Sequence, residues 1–432
     1  MANSALLVSS VHEIQHMLYF SLLQLVVIII TARAVGNLAK RVGQPRVVGE
    51  MVAGLILGPS FFGYVFPDIS HYFFHSVSST PLNIISQIGL LFLMFQIGME
   101  FDFSHLGEKK NRAAVQTIAA FSILLPFTLG FVFGQSSAPT LAPDVHPQPY
   151  SLFVGIALAI TAVPVLGRIM MEFSLTRTRV GAITISAAAV NDVVGWLLLA
   201  MISALATAQL SVIATVVQLS WVLIYLAILW WLVRPFLRRI IQSSHLGQDR
   251  LPPNLVAITM IIVFISGMCT LSIGIFPFFG AFMVGVLVHD QTRFVVLWKR
   301  NIGDFVLVFF LPIFFTYTGL RTNIFGLDTL DLWIWCLIIV LAATLGKFGG
   351  GYVAARLTGL DHHHAIAIGI MMNTRGLMEL IVLNIGFDLG VLPQRVFTML
   401  VIMAVVTTFL TAVALRSALP KMGHAVTRGI DA

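Results

Sequence analysis

Charge is what this sequence has least of. Only 10% of its 432 residues are Asp, Glu, Lys or Arg, where a soluble globular domain carries about 25%. That scarcity excludes an ordinary water-soluble domain, which would have too few charged groups to cover its surface. Cysteine is nearly missing as well. The two present, Cys269 and Cys336, both fall in apolar runs, so no disulfide framework is expected. No long hydrophilic stretch occurs, and the sixteen residues after Arg416 are too few for a nucleotide-binding or regulatory module. Energy is therefore expected to come from a gradient. No Lys or Arg precedes the first apolar run, whereas Arg33, Lys40 and Arg41 follow it, the reverse of a cleavable signal. Neither a nucleophile–base constellation nor a metal-ligand spacing is found, so an enzyme and a cofactor are not expected.

What the chain has is apolar length. Hydrophobic residues make up 58%, gathered into runs of about 20 residues, the length a helix needs to cross some 30 Å of hydrocarbon. Thirteen runs are predicted, at 17–35, 47–65, 82–101, 113–134, 150–171, 180–206, 212–233, 254–273, 276–296, 303–320, 332–355, 364–386 and 393–415. They are too long for barrel strands and lack their alternation, so the fold class is an all-α polytopic membrane bundle. With the N-terminus outside, 21 of the 25 basic residues fall in inward loops, the positive-inside pattern. The net charge of +7 thus reflects topology rather than a nucleic-acid partner. Residues 1–420 are expected to form one transmembrane domain in a bacterial inner membrane, surrounded by lipid. Residues 421–432 would be a short cytoplasmic tail.

Two internal echoes point to function. The third run ends Phe95-Gln96-Ile97-Gly98-Met99-Glu100-Phe101-Asp102, and the tenth ends Thr316-Tyr317-Thr318-Gly319-Leu320-Arg321-Thr322-Asn323. The same offset of seven runs relates the fifth, broken near Thr161-Ala162-Val163-Pro164, to the twelfth, interrupted at Asn373-Thr374-Arg375-Gly376. Seven is odd, so the copies are inverted. Inverted repeats with helices interrupted at matching positions are the sequence pointer to a secondary transporter and its central site.

An ionisable side chain at mid-membrane costs roughly 2.5–3.5 kcal/mol on insertion scales, so few should exist without a reason. Four stand out: Asp192, Lys347, Arg375 and Glu379. Taking a carboxylate out of water disfavours its charged form. Asp192 can then hold a proton or a metal cation, but not comfortably both, and that competition is the core of an antiporter. The bland alternative is a structural ion pair with Lys347. Asn191 offers a neutral oxygen beside the carboxylate, or else merely packs helices through a hydrogen bond. Pro164 lacks an amide hydrogen, which frees the Ile160 carbonyl, and it pushes Val163 away from helical geometry. The resulting break would aim Thr161 at a polar cavity, the alternative being a simple proline kink. Lys347 and Arg375 are expected to balance Asp192 and to sit near the negative C-terminal ends of the broken half-helices. Glu379, four residues after Arg375, reads first as its local ion-pair partner. Asp361 before His362-His363-His364 reads as a helix N-cap, since three adjacent histidines point in different directions. Glu50 and Glu100 lie at cytoplasmic ends of their runs, where pairing with nearby basic residues is the simplest role.

At these residues the sequence resembles the monovalent cation/proton antiporter-2 family of sodium/proton and potassium/proton exchangers. The matching stretches are Val48–Gly63, Leu90–Asp102, Ala159–Gly167, Ala188–Gly195, Pro277–Gly285 and Met372–Gly386. They are similar to plant cation/proton exchangers and to bacterial glutathione-gated potassium efflux systems. The resemblance implies two crossing broken helices, a core domain, a separate dimerisation domain, a homodimer and an elevator-like movement. It also implies Asp192 as cation and proton site, Asn191 as its motif neighbour and Lys347 as the basic partner. Electrogenic members carry two consecutive acids where this chain has Asn191-Asp192. One cation per proton is therefore expected unless Lys347 releases a second. The cytoplasmic regulatory domain of the gated efflux systems is not found here, which puts ligand gating in doubt.

The expected function is exchange of Na⁺ or K⁺ for H⁺ by alternating access. Asn191, Thr161 and the Ile160 carbonyl would complete the shell at Asp192, and no metal beyond the transported alkali cation is involved. Pro164, Asn373 and Gly376 mark the helix breaks. Two rival readings are a channel-like or gated K⁺ efflux pathway, and a carrier of an organic solute on the same scaffold. Choice between Na⁺ and K⁺ depends on cavity size and ligand count, which spacing does not encode.

Overall fold

The computed structural model describes residues 2–74, 76, 79–99, 112–173, 175, 178–207, 212–244 and 250–422. The described residues are helical, with no strand among them. In chain order the helices are α1 (Ala2–Arg41), α2 (Arg46–Leu57), α3 (Phe62–Val65), α4 (Pro67–Phe74), α5 (Thr80–Met99) and α6 (Arg112–Leu141). There follow α7 (Pro147–Ala159), α8 (Val163–Glu172), α9 (Arg179–Thr207), α10 (Val212–Ile228), α11 (Arg234–Ser243) and α12 (Pro253–Ser272). The chain continues through α13 (Pro277–Val288), α14 (Thr292–Trp298), α15 (Leu311–Leu320) and α16 (Leu330–Leu357). The last three are α17 (His362–Met372), α18 (Leu377–Asp388) and α19 (Gln394–Ala418).

Among the described residues, ten helices are long and apolar enough to cross a membrane, eleven if the α17/α18 pair, bent by 41°, counts as one. The expected count of thirteen is not reached, for a physical reason. The fifth run divides into α7 of 13 residues and α8 of 10. In the ninth, α13 has 12 residues. At about 1.5 Å rise per residue, none of these pieces alone covers a hydrocarbon core of about 30 Å.

Packing follows the offset of seven runs. The pair α6–α7 is matched by α16–α17, α1–α2 by α12–α13, and α5–α13 by α2–α15. The echo at Gly98 and Gly319 therefore has a structural meaning. A Cβ on Gly98 would come within 3.0 Å of the Gly285 Cα, and one on Gly319 within 2.8 Å of the Leu55 nitrogen. Each is a crossing where only small residues let two backbones approach. One group of helices comprises α1, α2, α5, α12, α13 and α15; the other comprises α6 to α9 and α16 to α19. Glu50 is buried in α2, with Arg46 3.8 Å away. Glu100, Asp102, Lys109, Lys110, Arg177, Arg428 and the tail beyond residue 422 lie outside the described residues.

Candidate ion-binding site

The two helix breaks meet. The Ala162 N–H donates to the Thr374 carbonyl at 3.2 Å, and Thr161 Oγ1 lies 3.4 Å from the Met372 carbonyl. The first break covers Ile160 to Ala162, one step earlier than the proline alone implies. Contrary to expectation, Val163 is helical: it is the first residue of α8, with Pro164 second. A proline is tolerated in a first turn because its missing N–H would have no intrahelical partner there. Ile160 closes α7 in an extended conformation, and no backbone N–H among the described residues donates to its carbonyl. The second break runs from Asn373 to Gly376. Gly376 has φ +146°, a region that residues with a Cβ avoid. Asn373 is buried, and its Oδ1 has no hydrogen-bond partner among the described residues.

Three of the four half-helix ends facing the crossing are met by a charged group suited to the dipole. At the C-terminal end of α7, Arg375 donates from Nη1 to the Ala157 carbonyl and from Nη2 to the Leu158 carbonyl, both at 2.8 Å. Lys347 Nζ donates to the next carbonyl, that of Ala159. At the N-terminus of α8, the Val163 N–H donates to the Asp192 carboxylate. At the N-terminus of α18, Glu379 sits in the first turn, 3.2 Å from Arg375. Arg375 itself is held in the break by Thr408, whose Oγ1 accepts from its N–H at 3.2 Å and lies 2.9 Å from its carbonyl.

All four expected ionisable residues are buried: Lys347, Arg375 and Glu379 completely, Asp192 at 2% exposure. Two cations and two carboxylates share one interior, and they divide unequally. Arg375 and Glu379 form an ion pair at 3.2 Å. Among the described residues Asp192 forms no ion pair, and its Oδ1 is buried without a hydrogen-bond partner. The structural pairing with Lys347 that the sequence allowed is therefore not made. Lys347 instead donates to Thr161 Oγ1 at 2.7 Å. Hydrogen-bond chemistry orients the Asn191 amide, with its oxygen 3.2 Å from both Lys347 Nζ and Thr161 Oγ1 and its nitrogen 3.3 Å from the Ala119 carbonyl. The ammonium thus sits among three oxygens: the Ala159 carbonyl, the Thr161 hydroxyl and the Asn191 amide. Two of these belong to residues expected in the shell of a transported cation. An ammonium and an alkali cation make similar demands on such oxygens.

Sequence reasoning missed Thr408 and the carbonyls of Ala157, Leu158 and Ala159. A threonine in an apolar helix ordinarily bonds its own preceding turn, as Thr408 also does toward Ala404 at 2.7 Å, so nothing marks it in the sequence. The carbonyls become acceptors only because a helix stops there. Asp361 does cap α17, accepting from the N–H groups of His363 and His364 at 3.2 and 3.4 Å.

The profile of the family described as sodium/hydrogen exchanger, transmembrane, matches residues 25–420. The Na(+)/H(+) antiporter NhaS4 of Synechocystis is 37% identical over 93% of this chain and 98% of its own length. The K(+)/H(+) antiporter 1 of Saccharomyces cerevisiae is 31% identical over 85% of this chain. The chain spans nearly all of the first relative but only 43% of the second. Among solved structures, the sodium proton antiporter MjNhaP1 of Methanocaldococcus jannaschii superposes with a TM-score of 0.63 over 94% of this chain and 98% of that one. At 15% identity that likeness bears on the fold alone. With an all-helical architecture, breaks that meet over a buried carboxylate and these relatives, the chain belongs to the transmembrane sodium/hydrogen exchanger family.

Proposed function

We propose that the chain exchanges a monovalent cation, Na⁺ or K⁺, for H⁺ by alternating access, with Asp192 taking up the proton and the cation in turn. The observation that carries this reading is that Asp192, among the described residues, forms no ion pair and keeps a buried Oδ1 without a hydrogen-bond partner, whereas Glu379 is ion-paired with Arg375. Of the two buried carboxylates at the crossing, Asp192 is the one whose charge no ion pair among the described residues neutralises, which favours it as the group that takes up a proton or a metal ion. A bare carboxylate is costly in a closed apolar barrier, so only the protonated or cation-loaded form crosses. The relatives are named for Na⁺/H⁺ and K⁺/H⁺ exchange, which supports the substrate class.

In the state described, Lys347 holds the oxygens of Thr161 and Asn191. Cation binding then requires the ammonium to withdraw or lose its proton, freeing those oxygens to join Asp192 and the Ile160 carbonyl. The chain works as an integral membrane protein of a bacterial inner membrane, with N-terminus outside, C-terminus inside and a homodimeric assembly. The group holding the breaks, α6 to α9 and α16 to α19, moves against the group built on α1, α2, α5, α12, α13 and α15.

Reconstitution tests this directly. Proteoliposomes carrying a pH dye should show proton movement on addition of Na⁺ or K⁺, and Asp192→Asn should abolish it. Full exchange in that variant would sink the proposal, and a current that scales with voltage without saturating would favour a channel.

A further inference from the structure

A second three-oxygen set occupied by a tethered cation lies at the far end of α18. Arg321, just past α15, donates from Nη1 to Asp388 Oδ1 at 2.6 Å and to Asn384 Oδ1 at 3.2 Å. Its Nη2 donates to the Tyr317 hydroxyl, over whose ring the guanidinium sits at 4.2 Å. The pattern repeats that of Lys347, a basic side chain collecting a carbonyl-type oxygen and a hydroxyl, but here a carboxylate completes the set.

The surroundings are those of a passage. A cavity of about 300 Å³ is lined by Ser86, Gln87, Tyr317, Asn384 and Asp388 among apolar neighbours. It opens between α5 and α15 of one helix group and α18 of the other. From Asp388 the 12-residue α18, about 18 Å long, runs directly to Gly376 at the crossing. Asn384 is held rigidly, its amide nitrogen donating to Thr318 Oγ1 at 2.8 Å and to the Leu380 carbonyl at 2.9 Å, so its oxygen keeps facing Arg321. The pair itself is easily opened. The Asp388 side chain is 40% exposed and that of Arg321 20%, and half-exposed pairs are screened by water. Hard cations take carboxylate, amide and hydroxyl oxygens as ligands.

We propose that Asp388, Asn384 and Tyr317 form an entry site for the transported alkali cation, and that Arg321 is a tethered competitor which the cation displaces on its way to the crossing. The proposal rests on the cation-exchange reading above and adds a second binding position to it. Arg321 acts through Asp388, so its effect disappears when the carboxylate does.

The experiment measures initial rates of cation-driven proton movement in proteoliposomes of defined orientation, with Na⁺ or K⁺ added to one face at a time. Arg321→Gln should lower the KM for the cation roughly fivefold at one face and leave the KM at the other face unchanged. Asp388→Asn should raise KM at that same face by a similar factor, and the double variant should match Asp388→Asn alone. A wild-type KM in Arg321→Gln would overturn the proposal, whether or not the maximal rate falls, because a mere brace between helices changes rate or stability and not affinity at one face. So would an equal shift at both faces, or an Arg321→Gln effect that persists without Asp388. Should Asp388→Asn not fold, Arg321→Gln alone still decides, because it keeps the carboxylate. These outcomes are separate from those at Asp192: retained exchange in Asp192→Asn strikes the exchange reading, whereas an unmoved KM with Asp192→Asn inactive strikes only the entry site.

Discussion

Arg375 caps the last turn of α7 with its two terminal guanidinium nitrogens, one on the Ala157 carbonyl and one on that of Leu158, while its own backbone lies in the break of the α17/α18 pair. One residue therefore ties the two interrupted helices together and neutralises the negative end of a half-helix in the buried interior. Glu379 completes the unit from the first turn of α18. The charged interior is built in two parts, a closed structural pair and an open pair in which Lys347 and Asp192 find other partners. That division yields expectations that separate scaffold from site.

Breaking the closed pair should cost more than removing it. Glu379→Gln leaves the Arg375 charge buried without its partner, and breaking a buried pair destabilises by about 3–5 kcal/mol. Arg375→Gln with Glu379→Gln should cost clearly less than the sum of the two single changes. Thermal unfolding of the purified protein in detergent, run as a double-mutant cycle, checks this; additive effects would mean that the two residues act independently.

Lys347 should behave differently. Lys347→Gln frees the oxygens of Thr161 and Asn191 while removing the cap on the Ala159 carbonyl. The expected result is a moderate loss of stability, about 1–3 kcal/mol for an unsatisfied buried carbonyl, together with a lower KM for the transported cation. Measuring KM alongside the melting temperature distinguishes the two contributions. A higher KM would mean that the ammonium assists binding.

Gly376→Ala tests the second break. The backbone there has φ +146°, and an added Cβ would meet Val165 Cγ2 at 2.9 Å. Holding a residue with a Cβ in such a region costs of order 1–3 kcal/mol. Because Val165 lies in α8, the strain acts on the crossing itself. Exchange should fall further than the stability loss alone explains, which parallel flux and unfolding measurements will show.

Outside the membrane, Asp361 gives a pH-dependent cap. Its slight loss of water pushes the carboxyl up, but hydrogen bonds from the His364 side chain and from the His364 and His363 N–H groups outweigh that and hold it below the usual carboxylate range. A carboxyl depressed in the folded state contributes stability that is present above its ordinary value of about 4 and lost as pH falls through the lower, folded value. Asp361→Asn keeps an N-cap acceptor but should remove this part of the acid sensitivity of α17. Asp361→Ala should cost about 1 kcal/mol at neutral pH. Unfolding followed between pH 3 and 7 separates the two variants.

Much of this was readable along the chain. Apolar runs at bilayer length and scarce charge determine a helical membrane bundle, because lipid leaves the backbone no other partners than its own helix. The same scarcity singles out Asp192, Lys347, Arg375 and Glu379, since each costs free energy that a membrane helix does not bear idly. The offset of seven runs was visible in Gly98 and Gly319 and in the two interruptions, and the helix pairs obey it. Span count was less legible, because residue pattern does not reveal that α7, α8 and α13 are each too short to cross alone.

Pairing was decided only by the tertiary structure. Composition leaves Asp192 and Lys347 as natural partners, yet the lysine turns to the oxygens of Ala159, Thr161 and Asn191 while the carboxylate keeps a free oxygen. The reason lies in the carbonyls that α7 exposes where it stops, which form a local negative end strong enough to hold two cations. Those acceptors exist only because the helix ends there, and Thr408 reaches the opposite break only because α19 packs beside it. The sequence determined which charges are buried; the fold decided that, among the described residues, Glu379 takes an ion-pair partner and Asp192 does not.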